Sequence, residues 1–219
     1  NINSFLNILE FLKDNNKTKL LYASTSSIYG GLTDYPFHEE LNTNKPLQFY
    51  AVTKQTNEMM AKAYANLYDI SSIGFRFFTV YGPWGRPDMS LFLFTKSILE
   101  GKPIDVFNMG QHKRDFTFVD DIVEGLVTSI CCRPKFKLQR SEIFNLGCGK
   151  VEPLMKFINE IEKSLNKEAK INFLPLQKGD VEMTSADISK MNKYYGFKPK
   201  TNIGKGIKEF VNWYIDYYK

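Results

Sequence analysis

The amino-acid sequence predicts an α/β protein with a doubly wound parallel sheet, and three neighbouring segments support this fold class. Residues 19–23 and 72–80 are short apolar runs, as is typical of strands that are buried on both faces of a parallel sheet. Between them, residues 50–68 have the pattern of one long helix. A strand, a helix and a second strand in this order form a β-α-β unit, from which doubly wound sheets are assembled.

The other segments predict a second, smaller α/β region that is interleaved with this sheet. We assign residues 1–82 to the sheet domain and 83–219 mainly to the second region, with about 116–147 returning to the sheet. Apolar spacing predicts helices at 2–12, 91–100, 116–130, 153–165, 185–195 and 203–217, and strands at 104–107 and 142–146. Because a helical pattern is already present at the first residues, we expect that further sequence precedes this chain.

The composition argues against nucleic acid and membrane as partners. The 219 residues include 29 basic and 24 acidic side chains, spread along the sequence without the basic stripe that phosphate-backbone binding requires. There is no apolar stretch long enough for a membrane span and no leader pattern at the beginning. We therefore expect a soluble protein, and the few cysteines make the reducing cytoplasm its natural setting.

The cysteines and histidines do not predict a disulfide framework or a metal site. Cys131 and Cys132 are adjacent and Cys148 is distant, a spacing typical of neither disulfide-rich domains nor zinc sites. His38 and His112 are far apart in the sequence, without an evident set of acidic or thiol ligands, and we expect both at the surface. The sequence therefore predicts no bound metal.

One group of side chains can carry acid–base chemistry. Tyr50 and Lys54 lie four positions apart on the predicted helix, so a phenol and an ammonium share one face. A neighbouring cation stabilises a phenolate, which makes such a pair a usable acid and base. Thr25 follows the first strand, at the edge where parallel sheets bind ligands. The alternatives are an exposed structural pair for Tyr50 and Lys54, and a helix cap or turn for residues 24–27.

Taken together, these residues resemble the active-site pattern of extended short-chain dehydrogenases, the NAD-dependent epimerase/dehydratase family. The resemblance rests on Tyr-Ala-Ser-Thr-Ser-Ser-Ile-Tyr-Gly at residues 22–30, followed by Tyr50 and Lys54. It implies a Rossmann-type sheet and NAD as cofactor, with Thr25 bonded to the sugar hydroxyl that is oxidised and Tyr50 taking its proton. It further implies that Tyr50, Lys54 and Phe77 contact NAD.

The resemblance also indicates which reaction to expect. Related dehydratases and decarboxylases carry an acidic residue just after the catalytic serine or threonine, whereas this sequence has Ser26 and Ser27, which the resemblance places against the substrate. We therefore expect simple epimerisation.

The segment from Phe77 to Met89 resembles the corresponding segment of UDP-glucuronate 4-epimerases. This resemblance implies that Thr79 and Arg86 hold the carboxylate of the sugar, a sensible pairing because a guanidinium binds planar anions well. The alternative is that Arg86 caps a loop or pairs with Asp88. The resemblance therefore predicts an acidic UDP-sugar as the substrate.

Two later segments resemble the nucleotide-binding blocks of the same family. The resemblance implies that Arg114 contacts the diphosphate and Asp180 the ribose of the nucleotide. The alternatives are a surface ion pair between Arg114 and Asp115, and an ordinary turn position for Asp180.

The glycine-rich turn that binds a dinucleotide is not found in this sequence. We therefore expect this chain alone to bind NAD poorly and to fold incompletely. For the complete protein the sequence predicts NAD-dependent conversion of UDP-glucuronate to UDP-galacturonate through a 4-keto intermediate. The resemblance also implies a homodimer formed through the helices at 2–12 and 50–68. The alternatives are a 4-epimerase for UDP-glucose or UDP-N-acetylhexosamine, and an inactive fragment.

Overall fold

The structure, a computed structural model, describes residues 1–15 and 17–218. Its helices are α1 (Ile2–Lys13), α2 (Phe49–Tyr68), α3 (Ser90–Leu99), α4 (Val119–Cys131), α5 (Leu154–Leu165), α6 (Ser189–Tyr195) and α7 (Ile203–Tyr218). Its strands are β1 (Leu20–Thr25), β2 (Ser72–Phe77), β3 (Thr79–Tyr81), β4 (Pro103–Val106), β5 (Lys113–Phe118), β6 (Ser141–Leu146), β7 (Val151–Pro153) and β8 (Lys170–Phe173). Short 3-10 helices lie at Ser26–Tyr29 and Asn108–Gly110.

The chain divides into two compact units. The first unit comprises Asn1–Phe78, Gly125–Leu146 and Ala186–Phe197. The second unit comprises Thr79–Glu124, Gly147–Ser185 and Lys198–Lys219. The functional domains that the sequence predicts, with a cofactor part at 1–82 and a substrate part at 83–219, stay a prediction. No helix in the described part of the chain has the length and apolar character needed to cross a membrane.

The first unit contains a three-stranded parallel sheet with the strand order β1-β2-β6. Helix α2 connects β1 to β2 and packs against all three strands, and α1 packs against α2. The apolar face of α1 buries Phe5 and Leu9 against Tyr22 of β1 and Ala61 of α2. A strand, a crossover helix and a parallel strand confirm the α/β fold class that the sequence predicts.

The second unit has two small sheets and a core rich in aromatic side chains. Strands β3, β5 and β7 form one sheet, in which β5 pairs parallel to β3 and antiparallel to β7, and β4 and β8 form a parallel pair. Phe116 stacks on Phe157 with 4.2 Å between ring centroids, and Tyr81 meets Phe157 edge-on. Helices α5 and α7 cover this core with Ile161, Ile207 and other apolar residues.

Several predicted element boundaries are wrong. The apolar run at 72–80 forms two strands rather than one. The strand is interrupted at Phe78, whose N–H donates to the carbonyl of Leu146. The helix predicted at 116–130 begins only at Val119, because residues 116–118 belong to β5 and are all buried in the sheet. Helix α6 begins at Ser189 and not at 185, because Ala186 forms an isolated parallel bridge with Phe37.

Candidate active site

The first group of predicted site residues lies in the first unit, where β1 ends. Thr25 is the last residue of β1, and its hydroxyl accepts the N–H of Ser27 at 3.1 Å and donates to the Ser27 Oγ at 3.2 Å. Thr25 therefore caps the 3-10 helix that begins at Ser26, as one alternative from the sequence proposed. Thr25 is buried, whereas Ser26 and Ser27 are partly exposed.

Tyr50 and Lys54 lie in the first two turns of α2. Tyr50 is 46% exposed, so its ring can contact a ligand. The Lys54 ammonium donates to the carbonyl of Ala23 at 3.0 Å, which fixes this part of α2 beside the end of β1. Burial lowers the pKa of Lys54. Both side chains point from one face of the helix, and that face meets β1 two residues before Thr25.

Phe77 is the last residue of β2 and is paired in register with Thr25. Phe77 therefore lies at the carboxyl edge of the sheet. Its side chain is partly exposed rather than buried in the core. The structure therefore brings Thr25, Lys54 and Phe77 to neighbouring positions at one edge of the first unit.

Thr79 and Arg86 both belong to the second unit. Together with Gly82 and Met89 they line a cleft that Phe116 and Phe157 also line. Thr79 is the first residue of β3 and is partly exposed.

Arg86 lies in the loop that follows β3. Its guanidinium binds Asp88 through Nε at 3.0 Å and through Nη2 at 2.5 Å, and both side chains are largely exposed. The ion pair between Arg86 and Asp88, which was the alternative from the sequence, is therefore present.

Arg114 and Asp180, predicted separately as nucleotide-binding residues, form an ion pair in the second unit. Arg114 Nη2 lies 2.9 Å from Asp180 Oδ1, and Arg114 Nη1 donates to the carbonyls of Lys113 and Glu182. The alternative was an ion pair between Arg114 and Asp115 at the surface. Asp115 is fully buried, so it cannot form a surface ion pair. Asp180 also caps a turn, since the N–H of Val181 donates to its side chain.

His112 is not at the surface, which corrects the expectation from the sequence. It is 4% exposed, and its Nε2 lies 3.2 Å from Asp180 Oδ2, although the orientation is not that of a hydrogen bond. Burial, together with the positive charge of Arg114, lowers the pKa of His112. His112 lies in a polar stretch of the sequence, so its spacing carried no sign of this burial. Among the residues that the structure describes, no cluster of three or more His, Cys, Asp or Glu side chains could hold a metal.

Sequence reasoning missed a buried carboxylate in the second unit, Asp115. Its two oxygens accept the N–H groups of Cys148 and Gly149 at 2.7 and 2.9 Å, and the Thr117 hydroxyl donates to it at 3.1 Å. Asp115 therefore fixes the turn that precedes β7. The Gly-Cys-Gly sequence of that turn was a signal that its amides need an acceptor.

Sequence reasoning also missed an ion pair in the interior of the first unit. Arg76 lies in the middle of the sheet on β2 and pairs with Glu58 of α2, and both are almost completely buried. An arginine inside an apolar strand and a glutamate four residues after Lys54 were the available signals.

A parallel β-α-β sheet with a threonine at the end of β1 and a Tyr-x-x-x-Lys pair on the crossover helix defines a protein of the Rossmann-like class. Comparison with known proteins narrows this class. Residues 1–147 match the NAD dependent epimerase/dehydratase family, and the chain belongs to that family.

Individual relatives and structures agree with this assignment. The chain is 51% identical to the uncharacterized protein MJ1055 of Methanocaldococcus jannaschii, over 96% of this chain and 63% of that protein. It is 41% identical to UDP-glucuronate 4-epimerase 2 of Arabidopsis thaliana, over 100% of this chain and 54% of that protein. It superposes with a TM-score of 0.91 and 32% identity on the Bacillus cereus UDP-glucuronic acid 4-epimerase in complex with UDP-glucuronic acid and NAD, covering 99% of this chain and 68% of that one.

The chain spans only part of these proteins. It covers between 54% and 63% of the two curated relatives described above.

Proposed function

We propose that the protein containing this chain is an NAD-dependent 4-epimerase that converts UDP-glucuronate to UDP-galacturonate. One observation carries the proposal. The Lys54 ammonium binds the backbone of β1 beside Thr25, so the Tyr-x-x-x-Lys face of α2 and the threonine hydroxyl meet at the carboxyl edge of a parallel sheet. Similarity over the whole chain to proteins named UDP-glucuronate 4-epimerase supports the choice of substrate.

The residues at this edge fit the nicotinamide end of NAD. Tyr50 is half-exposed, Lys54 is partly buried with its ammonium at the surface of the sheet edge, and Phe77 offers a partly exposed ring. An ammonium can bind ribose hydroxyls and a flat ring can lie against nicotinamide. When bound, NAD supplies a reversible acceptor for a hydride.

The chain's own residues would then perform the proton chemistry. Thr25 holds the 4-hydroxyl of the sugar by a hydrogen bond, and Tyr50 removes the hydroxyl proton while the C4–H bond breaks as a hydride. A C4 carbonyl forms in the sugar, which turns over and regains the hydride on its opposite face and the proton from Tyr50. The Lys54 ammonium stabilises the phenolate of Tyr50 during the cycle. No atom or electron is lost over one turnover.

The carboxylate of the sugar is assigned to Thr79 and Arg86. Both line the same cleft of the second unit, and the guanidinium of Arg86 is already bound to a carboxylate, that of Asp88. The contact with Asp88 is an example of how Arg86 can bind a carboxylate through two nitrogen atoms at once. The ion pair of Arg114 with Asp180 is assigned to the nucleotide, with Arg114 on the diphosphate and Asp180 on the ribose.

The test is an assay of this chain and of the longest native chain that contains it, with added NAD. UDP-glucuronate, UDP-glucose and UDP-N-acetylglucosamine are supplied in parallel, and the products are separated by chromatography. We expect Tyr50→Phe to lower kcat on UDP-glucuronate by about a hundredfold or more, the usual contribution of an acid–base residue. Tyr68→Phe, at an exposed tyrosine near the end of the same helix, is the matched control.

The assay also separates the substrates. Arg86→Gln should raise KM for UDP-glucuronate and leave turnover of neutral sugars unchanged, whereas Arg140→Gln, at another exposed arginine with a carboxylate partner, should change neither. Turnover of only UDP-glucose or UDP-N-acetylglucosamine by the unmodified protein would contradict the carboxylate assignment. The absence of turnover with all three sugars in a folded, NAD-binding protein would contradict the proposed activity.

We also propose that the protein is a homodimer that associates through α1 and α2. The outer faces of these two packed helices expose large apolar side chains, including Phe11 at 66%, Met59 at 67% and Leu67 at 71%. Exposed apolar surface on two adjacent helices favours a helical interface between copies. Light scattering that gives the mass of a single chain at micromolar concentration would contradict this proposal.

A further inference from the structure

A row of polar side chains crosses the buried middle of the sheet in the first unit. Ser24 of β1 is paired in register with Arg76 of β2, and Arg76 with Asn145 of β6. All three residues are at most 5% exposed. The central strands of parallel sheets are normally apolar on both faces, so a polar row at this depth calls for a specific reason.

Hydrogen bonds join this row to α2 and to the 3-10 helix after β1. Arg76 binds both oxygens of Glu58, at 3.0 Å through Nε and at 2.7 Å through Nη2. Its Nη1 donates to the Tyr29 hydroxyl at 3.0 Å, and that hydroxyl donates to Asn145 Oδ1 at 2.7 Å. The Ser24 hydroxyl donates to Glu58 Oε1 at 2.5 Å. We call these five residues the polar row: Ser24, Tyr29, Glu58, Arg76 and Asn145.

Two members of the polar row, Arg76 and Tyr29, have shifted pKa values. Burial opposes the charge on Arg76, but its interactions with Glu58 and Tyr29 together outweigh this effect and hold the pKa of Arg76 above its usual value. Burial raises the pKa of Tyr29 to about 12, so the phenol stays protonated and can donate to Asn145. A buried ion pair of this kind adds little to stability compared with well-packed apolar side chains, because both charges lose their hydration. The pair therefore calls for a role other than stability.

The polar row ends beside the proposed catalytic residues. Tyr50, Lys54 and Glu58 follow one another at intervals of four along one face of α2. Lys54 binds the backbone of Ala23, and Glu58 binds the side chain of Ser24, the residue directly before Thr25. Two contacts about 6 Å apart along the helix, made to consecutive residues of one strand, fix both the rotation and the axial position of α2.

We propose that Glu58 and Arg76 are positioning residues that hold Tyr50 and Lys54 in register with Thr25. This inference rests on the function proposed above. The Arg76 guanidinium, itself oriented by Tyr29 and Asn145, clamps Glu58, and Glu58 fixes α2 to β1. Loss of the clamp leaves the three reacting groups present but misaligned, and misalignment of about 1 Å lowers a rate strongly without abolishing substrate binding.

The decisive variant replaces both charges together. The double substitution Glu58→Leu with Arg76→Met keeps the volume and removes the buried charges, a change that proteins commonly tolerate without loss of stability. We expect a folded protein whose kcat on UDP-glucuronate falls on the order of tenfold or more, with KM within about twofold of the unmodified protein. Arg140→Gln is the matched control, because it breaks an exposed ion pair with Asp69, directly after α2, and we expect it to leave kcat unchanged.

Milder variants keep the test decisive if the double variant does not fold. Ser24→Ala removes only the hydroxyl that links Glu58 to β1, and Glu58→Gln keeps the shape of the side chain and its capacity to accept from Ser24. We expect both to lower kcat and not KM, with Glu58→Gln retaining more activity than the double variant. An unchanged kcat in a folded double variant, or in Ser24→Ala if the double variant is unfolded, overturns the proposal.

A second measurement is independent of the epimerase activity. If the unmodified protein turns over none of the three sugars, the proposed function fails, and amide hydrogen exchange then decides the positioning role alone. We expect faster exchange of the α2 amides at residues 53–58 in Ser24→Ala and Glu58→Gln than in Arg140→Gln. Equal exchange in all three variants overturns the inference.

Discussion

The two units of this chain each contain a bidentate pair of arginine and carboxylate, and the two pairs lie in opposite environments. In the first unit, the side chains of Arg76 and Glu58 are 6% and 10% exposed and are tied to three further polar residues. In the second unit, the side chains of Arg86 and Asp88 are 75% and 64% exposed. The same chemical contact therefore occurs once in a buried and once in an exposed setting.

Burial decides which use each pair can have. A buried pair cannot exchange its partner, because either charge alone would remain in a medium that solvates it poorly. An exposed pair is held weakly and can exchange its carboxylate for that of a ligand, since water and salt screen the attraction. The first pair is suited to fixing geometry and the second to binding an anion. The pair of Arg114 and Asp180, with side chains 15% and 33% exposed, lies between these extremes.

The largest effect is expected when the buried pair is broken on one side. Arg76→Met leaves the Glu58 carboxylate buried without its partner, and we expect the free energy of unfolding to fall by about 3–5 kcal/mol. Urea denaturation followed by circular dichroism measures this loss. Arg86→Met, which removes the exposed arginine, should not shift the midpoint. A loss below about 1 kcal/mol for Arg76→Met would mean that water reaches Glu58 and that the two pairs differ less than their exposure indicates.

A smaller effect is expected from His112, which is buried next to the intermediate pair. Because burial and the charge of Arg114 lower the pKa of His112, the folded protein binds this proton less readily than the unfolded chain does, in which the pKa is about 6.5. Stability should therefore be complete above about pH 6.5 and should fall as the pH decreases below that value toward the pKa of the folded state.

The variant His112→Gln tests the direction of this dependence of stability on pH. It should show a flatter dependence of the urea midpoint on pH than the unmodified protein between about pH 7 and pH 5, because its side chain does not titrate in that window. His38 is present in both proteins, so its contribution cancels. A steeper dependence in His112→Gln would show that His112 gains a proton on folding, and would contradict the assigned direction.

The fold and the local motifs could be predicted from the sequence because they depend on short-range patterns. The apolar run that became β1, the helix at 50–68 and the four-residue spacing of Tyr50 and Lys54 are all set by neighbouring residues. The break at Phe78 was not predictable in this way, since the N–H of Phe78 is bound by the carbonyl of Leu146, far along the chain.

The same limit explains which site features the sequence did not reveal. The polar row joins residues from 24 to 145, so it depends on strand register that no local pattern specifies. The burial of His112 and Asp115 depends likewise on packing around β5. Arg76 within an apolar strand was a visible sign of the polar row, and the Gly-Cys-Gly turn was a sign for Asp115, but only the tertiary structure identifies the partners. The sequence carried no sign that His112 is buried.

The smallest effect is expected at the exposed pair, and it acts on binding rather than on stability. Asp88→Asn removes the carboxylate that competes for Arg86, so UDP-glucuronate should bind more readily and its KM should fall by about twofold to fivefold, the range expected from a weak surface ion pair. The KM for UDP-glucose and the urea midpoint should not change, because a neutral sugar has no carboxylate and the pair is solvated. A higher KM for UDP-glucuronate would instead mean that Asp88 orients Arg86 for the substrate, and the exposed pair would then serve geometry, as the buried pair does.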